Sequence, residues 1–200
     1  MTTPAQTRSA RSRSATPSLN IALIAVFAAL IAVFAIVPGF MIGPVPFVLT
    51  IVIVLASPLI VGPLQGVLAA ALYMAVGLMG LPVFAGGASG VAVFLGPTGG
   101  YLVGYAAAAI VAGLLGSLAL RIGARPSVRV ALLGVAAVGG LAAIHACGVA
   151  GLMLNAGMDF TAALTVTAGF VPLDLVKAAL AAMIAAAALR AFPRLDGVRR

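Results

Sequence analysis

Charge is what this sequence has least of. Of 200 residues only 7% are charged, with 11 Lys and Arg against 3 acidic residues, all of them aspartate. No charged side chain occurs between Arg13 and Arg121. A water-soluble surface cannot be built from such a stretch, since soluble domains carry about 25% charged residues. The single cysteine, Cys147, excludes an intrachain disulfide and any thiolate metal set. His145 stands two residues before it, and a lone His-x-Cys in an apolar segment reads as a packing and hydrogen-bonding pair, not a metal site. The single lysine, Lys177, lies between Val176 and Ala178. The chain therefore has no Gly-x-x-x-x-Gly-Lys-Ser/Thr phosphate loop and is not by itself a Walker-type ATPase. Carboxylates are too few for many ion-coupled pumps, and no Ser/His/Asp arrangement suggests an intramembrane enzyme. Binding without catalysis, metal or cofactor is the economical inference.

What the chain does have is hydrophobic length. The composition is 64% hydrophobic, and a helix crosses a ~30 Å hydrocarbon core with roughly 20 apolar residues. Residues 1–18, rich in Ser, Thr and Arg, read as a disordered cytoplasmic tail. The run that follows is too long for a signal-peptide core and predicts an uncleaved first helix. Breakers then divide an all-α membrane domain over residues 19–190. Pro38-Gly39 closes a first span over about residues 19–37, and the Pro-rich connection 43–46 leads to a second over about 47–61. Pro63 allows a tight turn before a third span ending near residue 79. Seven glycines and two prolines make residues 80–100 the least helix-like stretch. A fourth span covers about 100–120 and a fifth about 130–154; a mixed loop, 155–171, precedes a sixth that Pro172 opens and that runs to about residue 189.

The arginines test the count of six. With Arg8, Arg11 and Arg13 in the cytoplasm, four crossings bring Arg121, Arg125 and Arg129 to the same side. Two more return the basic tail of residues 191–200 there. Both termini are then cytoplasmic, as the positive-inside rule requires, and loops 38–46, 80–99 and 155–171 lie outside. The arginines form no basic helix face, which argues against nucleic acid. Small residues four apart, Gly62 and Gly66, Gly100 and Gly104, Ala25 and Ala29, Ala28 and Ala32, allow close helix approach.

Chemistry inside the spans is confined to Asp174 and Lys177, one turn apart on the sixth helix and near its outer end. Charges at membrane depth are costly, so they face a cavity or each other. The bland alternative is a self-neutralising structural pair in an assembly protein. The same outer face carries the glycine-rich loop, whose backbone groups can meet a ligand unobstructed, and Phe84, Phe94, Tyr101 and Tyr105 can supply apolar surface. The expectation is an outward pocket for a small molecule with both N–H and C=O or carboxylate groups.

Two blocks carry a resemblance. Gly80-Leu-Pro-Val-Phe-Ala-Gly-Gly87 and Gly96-Pro-Thr-Gly-Gly-Tyr-Leu102 resemble, at this separation, the signature of BioY-type proteins, the biotin-binding S components of energy-coupling factor (ECF) vitamin transporters. The likeness extends over about residues 19–190 and includes the Asp-x-x-Lys of the last helix. It implies a six-helix bundle in the cell inner membrane that captures biotin, with Asp174 and Lys177 holding the vitamin and Phe84, Gly86, Gly87 and Tyr101 beside it. It further implies a transmembrane T component and two cytoplasmic ATPase subunits, docked through Ala25, Ala28, Ala29 and Ala32. The same architecture serving another vitamin is the nearest alternative.

Overall fold

Helices that are apolar on every face, not along one stripe, have no side to turn towards water, and this chain is built from them. The computed structural model describes residues 17–37, 39–122, 125–193, 195 and 198. Helix α1 (Pro17–Ile36) is followed by a small hairpin, β1 (Met41–Ile42) and β2 (Val45–Pro46), then α2 (Thr50–Val61) and α3 (Pro63–Leu78). A 3-10 turn at Ala85–Gly87 and the short helix α4 (Val91–Leu95) lie in the glycine-rich stretch. Then come α5 (Gly99–Arg121), α6 (Pro126–Ala156), the short α7 (Phe160–Ala168) and α8 (Val171–Ala191). Almost all of the predicted tail at residues 1–18 lies outside the described residues.

Among the described residues four helices, α1, α5, α6 and α8, are long and apolar enough to cross a membrane, while α2 and α3 are shorter apolar helices. The outside of the bundle is apolar too: Ile21, Val33, Leu114, Val135 and Val176 are all more than half exposed. Hydrocarbon tails solvate such side chains as well as a protein interior does.

α2 is the axis of the molecule. All 12 of its residues are buried, because α1, α3, α5, α6 and α8 each pack against it. Gly62, at φ 94°, reverses the chain, and Pro63 takes the first turn of α3. Such a φ is open to glycine at little steric cost. Gly66 lies against the Pro58 ring, where a Cβ would stand 2.8 Å away. α5 and α6 run antiparallel at close range. A Cβ on Gly100 would sit 2.6 Å from the Gly151 Cα, and one on Gly104 would sit 2.9 Å from the Ile144 Cα. The small-residue spacing of the sequence therefore marks a real helix seam.

The mixed loop expected over residues 155–171 contains α7. Asp159 caps it, accepting a 2.9 Å hydrogen bond from the Ala162 N–H, as a side-chain oxygen at that position does for an orphan amide. Beyond α8, Val198 is buried and its carbonyl accepts a 3.0 Å bond from Gln65 Nε2. Chain direction places Arg121, Arg125, Arg129 and Arg190 at one end of the bundle. The hairpin, the glycine-rich stretch and α7 occupy the other.

Candidate substrate-binding site

The shortness of α2 makes the site. Twelve residues span about 18 Å at 1.5 Å per residue, against ~30 Å of hydrocarbon core. A cavity lies beyond its first turn, under the hairpin and the glycine-rich loop. The space between its lining atoms, open solvent at the mouth included, is about 600 Å³. The floor is Thr50 and Ile51 of α2, the walls are Tyr73, Tyr101, Tyr105 and Ile144, and Phe84 and Phe170 close the sides. A wider opening between the hairpin and residues 85–98 shares Pro46, Val48, Ala85, Val93 and Thr98 with the cavity and connects it to the exterior.

Asp174 and Lys177 line this cavity, 1% and 4% exposed. Because α8 starts at Val171 with Pro172 in its first turn, both fall within two turns of its N-terminus. Lys177 Nζ donates to Asp174 Oδ1 at 2.7 Å and to the Val48 carbonyl at 2.7 Å, and lies 3.5 Å from the centre of the Phe47 ring. The other carboxylate oxygen, Oδ2, is 3.1 Å from His145 Nε2. A carboxylate only accepts, so Nε2 carries the hydrogen in this bond. The hydrogen bond of His145 thus crosses to α8 and does not go to Cys147, correcting the His-x-Cys pairing. The opposite charges at 2.7 Å leave the cluster formally neutral while keeping strong donors and acceptors at the cavity wall.

The aromatic residues arrive by different routes. Phe84 is fully buried and meets Tyr73 edge-on, with centroids 5.6 Å apart. It rests on Gly77, where any Cβ would collide with its ring. Gly86 and Gly87, at φ 67° and 80°, form the turn that returns the chain behind Phe84, and the Phe84 N–H donates to Ala88 O. Only glycine takes successive left-handed positions at low cost. Gly86 lines the outer opening and Gly87 lines neither space, so their place is to shape the loop. Tyr101 lines the cavity, with its hydroxyl 2.8 Å from Thr167 Oγ1 and its ring beside Phe170. Phe94 stays outside the cavity, and its carbonyl accepts from Asn155 Nδ2, which also holds Gly96 O at 3.0 Å.

Of the residues singled out in the sequence, Asp174, Lys177, Phe84, Tyr101 and Tyr105 come together. Phe47, Val48, Thr50, Tyr73, His145 and Phe170 join them without any sequence motif to announce them. Ala25, Ala28, Ala29 and Ala32 share one groove between α1 and α3, with Leu72, Tyr73, Val76 and Val83.

Comparison with known proteins follows the same outline. The sequence model of the BioY family matches residues 6–194. The chain is 32% identical to the biotin transporter BioY of Rhizobium etli over 88% of this chain and 96% of the relative. It is 42% identical to that of Thermotoga maritima over 80% and 89%. Its fold superposes on the solved S-component for biotin from an ECF-type ABC transporter with a TM-score of 0.77. That match has 26% identity and covers 87% of this chain and 92% of the other.

Proposed function

The chain belongs to the BioY family, and from that premise we propose that it takes up biotin, as the substrate-binding and translocating subunit of an ECF-type vitamin transporter. The observation that carries the reading is the cavity: an aromatic chamber with one buried carboxylate and one buried ammonium on a single helix face. Biotin matches it by chemistry. Its ureido ring offers two N–H donors and a carbonyl, its fused sulfur ring is apolar, and its side chain ends in a carboxylate. Asp174 can accept a ureido N–H, Lys177 can donate to an oxygen, and Phe84 and Tyr101 can pack on the ring system. Gly86 and Gly87 shape the loop over the bound vitamin.

The same reading orients the molecule. α1, α2, α3, α5, α6 and α8 form the cores of six passes through the inner membrane, the segments flanking the short α2 completing its pass, with both termini in the cytoplasm, so the arginines lie inside and the cavity opens outward. Residues 1–18 and 191–200 flank the transmembrane domain as cytoplasmic tails. Energy comes from elsewhere: a T component engages the alanine groove of α1, and two ATPase subunits drive it.

Uptake of labelled biotin at nanomolar concentration tests this, in biotin-requiring bacteria that lack their own transporter. Cells co-expressing the chain with T and ATPase subunits should accumulate label, and those with Asp174→Asn should not. Equal accumulation with and without the chain would overturn the reading.

A further inference from the structure

Thr50 is a polar group with nothing to do. Its side chain is 0% exposed, its Oγ1 has no hydrogen-bond partner among the described residues, and it lines the cavity. A buried hydroxyl left unpaired costs free energy that an apolar side chain of the same shape would not. Thr50 is also the first residue of α2, a helix that starts without a side-chain cap. The first amides of a helix lack intrahelical partners, and the helix dipole makes this end attractive to anions. Because α2 is the short central helix, this end meets the cavity floor and not bulk water.

The charge distribution asks for such a corner. Lys177 is the one cation lining the cavity among the described residues, and Asp174 already neutralises it at 2.7 Å. A second Lys177 bond goes to the Val48 carbonyl, and its ammonium also faces the Phe47 ring. An anionic ligand group therefore meets no positive side chain whose charge is unbalanced, while the third Lys177 N–H stays available to a neutral acceptor. The anionic group does find a free hydroxyl beside the positive end of a helix dipole.

We propose that Thr50 and the N-terminus of α2 form the subsite for the carboxylate of the ligand, with the Thr50 hydroxyl donating to one carboxylate oxygen. This rests on the biotin reading and deepens it. The ureido ring then falls to Asp174 and Lys177, and the carboxylate to the floor of the cavity.

The test compares biotin with biotinol, in which a primary alcohol replaces the carboxylate, on purified full-length protein in detergent. Thr50→Val should lower biotin affinity by about tenfold or more, the scale of a hydrogen bond to a charged group. Biotinol affinity should fall by a smaller factor, at most the roughly two- to tenfold of a neutral hydrogen bond, because no charge is left for the corner to hold. Thr50→Ser, which keeps the hydroxyl, should stay near wild type for both. The ligand-free Thr50→Val protein should melt at or above the wild-type temperature, whereas a structural threonine would lower it. If valine does not fold, Thr50→Ala is compared in the same way. Thr50→Val binding biotin like wild type, or losing both ligands equally, would overturn the proposal while leaving the biotin reading intact. Wild-type protein that binds no biotin would overturn the reading beneath it.

Discussion

Asp174 is held from two sides, by Lys177 on its own helix and by His145 on α6. A ligand-binding pair and a structural pair make different demands on these charges. Removing one partner of a buried pair strands the other charge, at a cost of about 3–5 kcal/mol, while removing both at once is far milder. Lys177→Met should therefore destabilise the protein by about that amount in thermal unfolding. Asp174→Asn combined with Lys177→Met should recover most of the lost stability without recovering biotin binding. A double variant that binds biotin normally would show that the pair only neutralises itself. Asp174 and Lys177 were legible in the sequence because charge stands out in an apolar run. His145 was assigned to its near neighbour Cys147 because a partner 29 residues away on another helix leaves no local trace. The Val48 carbonyl, a backbone group, leaves none either.

At the scale of elements, proline and glycine carried most of the legible information. Pro63 and Pro172 do stand in the first turns of α3 and α8, and the helix ends agree with the breakers to within a few residues. α7 was missed because nine residues bearing three threonines look like loop, although Asp159 three positions before Ala162 is a helix-start signal. The glycines of α5 and α6 differ in what they do. Gly100→Val would drive a side chain into the Gly151 and Cys147 backbone and should destabilise by at least about 1–3 kcal/mol. At Gly134 a Cβ meets nothing within 4 Å among the described residues, so Gly134→Ala should be neutral or stabilise by up to about 1 kcal/mol. Thermal unfolding of the two variants checks the contrast, and equal melting temperatures would contradict a close-packed α5–α6 seam.

For the whole molecule, one asymmetry organises everything. Among the described residues the arginines gather at one end, and the hairpin, the glycine-rich loop and the cavity aromatics lie at the other, with a central helix too short to fill the space between. The uneven charge was visible in the sequence, and so was the glycine-rich loop. The cavity itself was not, because it arises from the difference in length between α2 and its neighbours, which only their packing reveals. The central claim is that this space binds biotin through Asp174. Calorimetric titration of the purified protein with biotin, wild type beside Asp174→Asn, addresses it most directly. The account predicts tight one-site binding by the wild type and loss of that binding in a variant that still folds. A folded wild type that gives no heat with biotin, or an Asp174→Asn protein that binds as well as wild type, would contradict it.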